Sequence, residues 1–405
     1  MTQNKSSSSI PAILGGTPAF SSPLYVGTPN IGDKERILGR IADALDNRRL
    51  TNFGPLVREF EARIAEYCGV KHCITVCNAT IGLELLIRAM GLKGEVIVPA
   101  MTFVATAHAL QWQEITPVFC DIDPHTCTID PQAAERMITP RTSGIIGVHL
   151  WGRACDIDAL QDVADRHHLA LGFDAAHSFG VTYKGRRIGG FGRAEVFSFH
   201  ATKFLNSFEG GAIVTNDDAL AAQLRLMENF GFSGFDQVIY LGTNGKMTEA
   251  SAAMGLSSFE SIDELITANR RNYRTYCEEL ADVPGIDMQE YPEDEETNYQ
   301  YVILRIKPEI CGISRDALYF ALQQENVIVR RYFYPGVHRM EPYRSYQPHA
   351  HLMLPHTERI VHEVLAMPTG TAVTEDDVRK ICQTIRQLLS HASEVEAVVT
   401  QGTQG

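Results

Sequence analysis

Between Pro55 and about Asn229, short runs of β-branched and apolar residues alternate with longer segments whose apolar positions have helical spacing. The short runs predict seven strands: Cys73–Val76, Glu95–Val98, Thr116–Cys120, Gly144–His149, Leu169–Asp174, Glu195–Ser198 and Ala212–Thr215. The intervening segments predict helices: Pro55–Tyr67, Thr80–Met90, Val104–Trp112, Pro131–Met137, Asp156–Arg166 and Asp217–Asn229. This alternation is typical of an α/β fold, with a mostly parallel sheet sandwiched by helices.

A different pattern follows the glycine-rich loop at Gly242–Gly245. A long helical pattern over Thr248–Leu280 leads to β-rich runs at Tyr301–Ile306 and Val327–Tyr332, which predict a smaller α+β domain. We therefore predict a large domain at residues 12–250, a small carboxyl-terminal domain at 251–389, and flexible tails at 1–11 and 390–405.

Composition narrows the class of protein. The chain has 405 residues, of which 44% are hydrophobic and 21% charged, so it can bury a large core. Its formal net charge of -13 argues against a nucleic-acid partner. The amino-terminal residues lack the apolar core of a secretory signal, and no apolar stretch is long enough to span a bilayer. We expect a cytoplasmic protein with no membrane partner.

The cysteines also favour a reducing compartment. Nine cysteines, an odd number, are scattered along the chain and predict free thiols rather than a disulfide framework. Cys68, His72, Cys73 and Cys77 are close enough in sequence to suggest zinc. A turn followed by a buried strand, however, sends neighbouring side chains to opposite faces, so we predict buried thiols and no metal site.

Candidate chemistry centres on Lys203 and Asp174. Asp174 directly follows a predicted strand, and ligands of parallel sheets bind at such carboxyl ends. Lys203 lies between mostly apolar and glycine-rich flanks that favour a deprotonated amine. A lysine for a Schiff base and a carboxylate for a pyridinium nitrogen suggest pyridoxal 5′-phosphate (PLP). The alternatives are a surface lysine and a helix-capping aspartate.

Neighbouring residues suggest the rest of a cofactor site. Asn78 precedes a predicted helix whose first N–H groups, at Ala79 and Thr80, face any anion placed there. Ser198 has a hydroxyl for the same phosphate, or serves as a strand-end turn residue. Phe103 is a candidate to stack on the pyridine ring, or packs in the core. His177 is a candidate contact to the ring oxygen, or a structural histidine.

Several motifs occur together in order along the chain: Leu50–Pro55, Glu95–Pro99, His149–Gly152, Asp174–His177, Ser198–Lys203, Glu209–Gly211 and Gly242–Met247. With these motifs the sequence resembles the DegT-type nucleotide-sugar aminotransferases from about Pro23 to Leu389. The resemblance implies the PLP fold type I, a transaminase active in deoxysugar biosynthesis, and a homodimer with shared active sites.

The resemblance also implies roles for individual residues. Lys203 would form the Schiff base and move the substrate proton, and Asp174 would pair with the pyridinium nitrogen. Phosphate contacts would come from Ala79, Thr80 and Ser198, and Asn244 would reach the cofactor phosphate of the neighbouring subunit. Phe103 would stack on the ring and His177 would lie near its oxygen.

Two residues depart from the commonest family pattern. His177 is often glutamine in the family, and Lys246, a candidate to hold an acidic substrate, is often arginine; lysine keeps the charge but not the bidentate fork. The segment Arg331–Arg339 resembles the loop near the sugar nucleotide, which makes Tyr332, Tyr334, His338 and Arg339 candidates for substrate binding, with Arg339 as the candidate for a diphosphate. The alternative is a β-hairpin that only packs.

The resemblance implies a reaction in two halves. L-Glutamate would convert PLP to pyridoxamine 5′-phosphate, and a nucleotide-linked keto sugar would accept the amine. Gly15–Pro18 and Arg331–Pro335 look like members acting at C4 of dTDP-4-keto-6-deoxyglucose, giving a 4-amino-4,6-dideoxy sugar. The alternatives are a C3 keto-sugar or cyclitol aminotransferase, and a non-catalytic PLP-binding regulator.

Overall fold

The computed structural model describes residues 10–402. Its α-helices in chain order are α1 (Lys34–Asp46), α2 (Pro55–Cys68), α3 (Ala79–Ala89), α4 (Ala105–Gln111), α5 (Pro131–Arg136), α6 (Ile157–Arg166), α7 (Asp218–Met227), α8 (Glu249–Glu260), α9 (Ile262–Leu280), α10 (Pro308–Cys311), α11 (Arg315–Gln324), α12 (Tyr343–Tyr346), α13 (Pro355–Ile360), α14 (Glu375–Ser390) and α15 (Ala392–Gly402). Short 3-10 helices lie at Ala12–Leu14, Val337–Arg339 and Ala350–Met353.

The strands are β1 (Leu24–Tyr25), β2 (His72–Val76), β3 (Glu95–Pro99), β4 (Thr116–Cys120), β5 (Thr142–Val148), β6 (Ala170–Asp174), β7 (Thr182–Tyr183), β8 (Arg186–Arg187), β9 (Glu195–Ser198), β10 (Gly211–Thr215), β11 (Ile286–Met288), β12 (Val302–Ile306), β13 (Val327–Ile328) and β14 (Val364–Met367). Seven of them form the central sheet in the order β2-β10-β9-β6-β5-β3-β4. Only β10 runs against its neighbours in that sheet. The predicted mostly parallel, seven-stranded α/β fold is confirmed.

Two hydrophobic layers cover this sheet, one on each face. Successive side chains of a strand point to opposite faces of the sheet, and in β9 Val196 belongs to one layer and Phe197 to the other. The first layer packs α2 and α8 around the buried ring of Phe60, and the second packs α3 and α7 around residues such as Leu86. Strands buried on both faces explain the nearly continuous apolar runs in the sequence.

The carboxyl-terminal region is built on a second, antiparallel sheet in the order β11-β12-β14. Side chains of α9, α11 and α14 pack with this sheet in one buried cluster that includes Tyr276, Leu304 and Ile381. Phe20 belongs to the same cluster, and β1 pairs in parallel with β13. The amino-terminal segment therefore lies against the carboxyl-terminal region, whereas the division of the chain at residue 250 remains a prediction.

Three segments differ from the sequence prediction. The proposed tail from 390 onward is wrong for residues 392–402, which form α15; Val395 is fully buried there, and Glu396 accepts hydrogen bonds from the N–H and hydroxyl of Ser314. The predicted run Val327–Tyr332 shortens to β13, and the long helical pattern breaks at Ser261 into α8 and α9. Residues 1–9 and 403–405, assigned to the tails, lie outside the described residues.

Three further findings bear on location and metals. Across residues 10–402, no helix is long and apolar enough to cross a membrane. The same residues contain no group of three or more metal-ligating side chains. All nine cysteines lie in the described part of the chain and are free thiols.

Candidate active site

Asp174 ends β6 at the carboxyl edge of the central sheet, and its side chain is buried. Its Oδ2 accepts a hydrogen bond of 2.7 Å from the Thr106 hydroxyl, and Oδ1 accepts one of 3.1 Å from the Ala176 N–H. Burial raises the pKa of Asp174, whereas these hydrogen bonds and the charge of Lys203 oppose the rise. The structure therefore holds this carboxyl group in a fixed orientation.

Thr106 is a site residue that the sequence prediction missed. It lies in the first turn of α4, and its hydroxyl is 2.9 Å from that of Thr102. Both threonines are almost completely buried. The result is a chain of hydroxyl groups that ends on the Asp174 carboxylate.

Lys203 lies in the turn after β9, with its amine directed toward Tyr301. Its Nζ donates a hydrogen bond of 3.4 Å to the Tyr301 hydroxyl. Burial lowers the pKa of Lys203 to about 8, and the nearby Asp174 opposes this effect. The amine is therefore partly deprotonated near neutral pH, as a nucleophilic lysine requires.

Tyr301 and His177 complete the surroundings of this amine. Their ring centroids are 4.5 Å apart, and both side chains are buried. Burial, with the neighbouring Lys203 charge, holds the pKa of His177 well below its usual value, so the imidazole is neutral. The Trp151 N–H donates to His177 Nδ1 at 3.3 Å, which leaves the ring proton on Nε2. Tyr301, which directly precedes β12, was also absent from the sequence prediction.

The start of α3 lies against β10. Asn78 caps the helix through its Oδ1, which accepts the Ile81 N–H at 2.9 Å. Gly211 of β10 comes so close that a Cβ atom there would be 2.8 Å from the Ala79 nitrogen. Ser198 pairs with Gly211 across the sheet. The predicted phosphate contacts Ala79 and Ser198 therefore lie on adjoining elements, with Thr80 next in the first turn of α3.

Aromatic rings form one wall beside these residues. The Phe103 side chain is 56% exposed, and its ring lies 6.1 Å from that of Phe333. The Phe333 ring in turn lies 5.9 Å from His177 and nearly parallel to it. Phe103 thus presents an open face, with Phe333 between it and His177, and a residue that stacks on a ligand ring must present such a face.

The predicted sugar contacts do not form one group. Tyr332 and Tyr334 line a cavity of about 280 Å³ that also touches Phe103. His338 and Arg339, in contrast, are bound to Glu358, at 2.5 Å from His338 Nε2 and 2.6 Å from Arg339 Nη2. The segment is a turn followed by a 3-10 helix, not the alternative β-hairpin.

Asn244 and Lys246 lie on a loop beside the end of β2, where Lys246 pairs with Val76 and the Cys77 N–H donates to the Gly245 carbonyl at 2.6 Å. Lys246 Nζ donates to Asn244 Oδ1 at 2.7 Å and to Asn229 Oδ1 at 2.8 Å. The neighbouring loop exposes apolar side chains, including Phe235 and Leu241. The contact of Asn244 with the cofactor phosphate of a neighbouring subunit remains a prediction.

The geometry and the comparisons with known proteins agree on the class of protein. The fold is that of fold type I aminotransferases, as the sequence predicted. Residues 32–386 match the model of the DegT/DnrJ/EryC1/StrS aminotransferase family. The chain belongs to this family and is an enzyme, which confirms the predicted resemblance.

Relatives and solved structures give more detail. A dTDP-4-amino-4,6-dideoxy-D-glucose transaminase from Shigella dysenteriae is 34% identical over 369 residues, covering 91% of this chain and 100% of the relative. A GDP-perosamine synthase from Caulobacter vibrioides is 34% identical over an alignment that covers 90% of this chain and 98% of the relative. The structure of DesI in the presence of its TDP-sugar product is 51% identical, with a TM-score of 0.92 over 95% of this chain and 98% of that one.

Proposed function

We propose that this enzyme binds PLP and transfers the amino group of L-glutamate to C4 of a nucleotide-linked 4-keto-6-deoxyhexose. The proposed acceptor is dTDP-4-keto-6-deoxyglucose, and the product is a 4-amino-4,6-dideoxy sugar nucleotide. The observation that carries the aminotransferase chemistry is the pairing of the half-buried Lys203, whose pKa is lowered, with the buried Asp174. The named activity of the Shigella dysenteriae relative and the TDP-sugar product of DesI support the C4 sugar.

The residues present fit PLP. Asp174 is a buried carboxylate for the ring nitrogen, and the start of α3 with Ser198 supplies donors for the phosphate. When bound, PLP supplies an electron-withdrawing ring that stabilises negative charge on the substrate carbon. Lys203 Nζ would bond the cofactor aldehyde and, once released, move the proton at the reacting carbon. Neutral His177 would direct its Nε2–H toward the ring oxygen.

The open side of the site supports a homodimer with shared active sites. Asn244 and Lys246 lie on a loop whose apolar residues are exposed in the single chain, with Phe235 fully exposed. Exposed apolar patches of this kind mark protein interfaces. Asn244 would then approach the cofactor phosphate of the partner, with Lys246 close to the acidic substrate. The free cysteines support the proposed cytoplasmic location.

The deciding experiment follows the reaction of the PLP-loaded protein with L-glutamate and dTDP-4-keto-6-deoxyglucose. Mass spectrometry detects the amine, and NMR gives its position and configuration. An amine at C4 would support the proposal. An amine at C3, or turnover only with a cyclitol ketone, would favour the alternatives within the family. No spectral response of the bound cofactor to glutamate would favour a non-catalytic binding protein.

Two variants test the role of Lys203 within the same experiment. Lys203→Ala should lose both the visible absorption band of the lysine-bound cofactor and all turnover. Lys93→Ala, which changes an exposed lysine, is the matched control and should behave as the unmodified enzyme. A Lys203→Ala variant that kept the band would overturn the assignment.

A further inference from the structure

The cavity beside Phe103 is lined by both arginines and aromatic rings. Its volume is about 280 Å³, and the lining includes Arg330, Arg331, Tyr332 and Tyr319. Tyr332 connects the cavity to the catalytic lysine, because its ring lies 6.1 Å from Tyr301. The cavity therefore adjoins the amine without containing it.

Charges around this cavity are not balanced. Arg315 Nε and Arg331 Nη1 both bind the same oxygen of Asp316, at 2.8 and 2.9 Å. The guanidinium of Arg330 has no carboxylate partner among residues 10–402 and lies 5.8 Å from the centroid of the Tyr332 ring. Of the two arginines that line the cavity, only Arg331 has a carboxylate partner among residues 10–402, and it shares that partner, Asp316, with Arg315. This local excess of positive charge favours the binding of an anion in the cavity.

The backbone fixes the position of Arg330 while its side chain stays exposed. Its N–H donates to the Ala366 carbonyl at 3.1 Å, and its carbonyl accepts the Ala366 N–H at 2.8 Å. These bonds attach the Arg330 backbone to β14 and so fix the position of its Cα atom at the cavity wall. A change of its side chain alone leaves both bonds intact.

We propose that Arg330 binds the diphosphate of the nucleotide-sugar substrate, a role that the sequence prediction gave to Arg339. Arg339 is occupied by Glu358, and Arg331 by Asp316, whereas Arg330 is free to form charge-assisted hydrogen bonds with phosphate oxygens. The aromatic walls would hold the adjoining sugar or base. This inference rests on the proposed function.

A diphosphate fits this position better than a carboxylate of glutamate. The α-carboxylate of glutamate is bonded to the reacting carbon, next to Lys203. Arg330 instead reaches Lys203 only through two aromatic rings, Tyr332 and Tyr301. In the nucleotide sugar, the sugar ring separates the diphosphate from the keto carbon. With the keto carbon at the Lys203 amine, the diphosphate would therefore lie at a distance from the amine, as Arg330 does.

The test measures binding of dTDP to the PLP-loaded enzyme by calorimetry, together with the rate of the glutamate half-reaction. Arg330→Gln should raise the Kd for dTDP by about 10- to 100-fold, the value of a hydrogen bond between charged groups. Arg330→Lys should recover part of the affinity. Arg274→Gln, an exposed arginine on α9, is the control and should bind dTDP normally. The glutamate half-reaction should be the same in all variants.

Each contrary result has a distinct meaning. Unchanged dTDP affinity in Arg330→Gln, in an enzyme that still forms the amino sugar, would overturn the subsite and leave the proposed function standing. A raised KM for glutamate with normal dTDP binding would overturn the subsite by assigning Arg330 to the amino donor. If the unmodified enzyme bound no dTDP and converted no dTDP sugar, both the subsite and the proposed acceptor would fail.

Discussion

Replacement of Thr106 by valine tests how Asp174 is held. Valine keeps the shape of threonine but removes the hydroxyl that donates to Asp174 Oδ2 at 2.7 Å. It also removes the partner of the Thr102 hydroxyl, 2.9 Å away. Of the two hydrogen bonds that the Asp174 carboxylate accepts within residues 10–402, only the one from the Ala176 N–H then remains.

The size of the effect follows from the charge of the acceptor. A hydrogen bond to a charged group contributes about 1.5–3 kcal/mol, or roughly one to two units of pKa. Burial already raises the pKa of Asp174, and loss of the bond raises it further because the ionised form loses a donor. A carboxyl group that is less ionised binds a pyridinium nitrogen less well. We expect PLP affinity to fall about 10- to 100-fold.

Absorbance titration of the apoprotein with PLP measures this effect, and Thr106→Ser is the matched control because it keeps the hydroxyl. A PLP analogue with C–H in place of the ring nitrogen separates the mechanism from general damage. The unmodified protein should prefer PLP to the analogue by a larger factor than Thr106→Val does. Equal factors in the two proteins would refute the reasoning, since the hydroxyl would then act independently of the ring nitrogen.

Three other predictions concern the lysine and the fold. The rate at which the apoprotein captures PLP should rise with pH and level off above about 8, the pKa of Lys203, because only the neutral amine attacks the aldehyde. Stopped-flow absorbance measures this rate. A rate that continued to rise well above pH 8 would show that the pKa of Lys203 is not lowered. Glu249→Gln should lower the free energy of unfolding, measured in urea, by about 1–3 kcal/mol, because the buried carboxylate accepts two N–H groups at the start of α2. Glu66→Gln, a change of an exposed residue of α2, is the control and should leave the free energy of unfolding unchanged. Val395→Ala should destabilise the protein by about 1–3 kcal/mol, whereas Val398→Ala, at a side chain that is 41% exposed, should have little effect; equal melting temperatures would contradict the packing of α15.

The sheet was predictable because its strands carry the signal locally. Strands such as Thr116–Cys120 and Glu195–Ser198 have the predicted bounds, since apolar runs between turn residues mark a buried strand wherever the chain later places it. The lysine and the acid were predictable for a related reason. Lys203 and Asp174 each adjoin one of these strands, so their place at the edge of the sheet follows from the strand assignment.

The residues that were missed reach the site through contacts distant in sequence. Tyr301 meets Lys203 across 98 positions, and Thr106 meets Asp174 across 68. Neither stands in a motif of its own, because a tyrosine before a strand and a threonine in a helix are ordinary residues. Only the packing of β12 and α4 against the large sheet shows what their hydroxyl groups contact.

The structure gives Arg339 a counter-ion that its sequence context does not show. An arginine in an aromatic segment is a reasonable diphosphate ligand until its counter-ion is known. Glu358, nineteen residues later, occupies both Arg339 and His338. The error over α15 has a similar cause. That helix is held by one fully buried valine, Val395, and by hydrogen bonds that Glu396 accepts. A search for periodically spaced apolar residues does not detect such contacts.

The hydrogen bonds of Asp174 argue independently for a cationic ligand at this edge of the sheet. A buried carboxylate is costly unless a cation or several donors compensate it. Within residues 10–402 it accepts one hydroxyl and one backbone N–H, and no cation forms an ion pair with it; Lys203 acts only through its field, with its amine directed to Tyr301. A protonated ring nitrogen at the free side of the carboxylate would supply the missing charge. A ring bound there would lie near His177 with its phosphate toward α3, and the proposed PLP would thus account for all three features together.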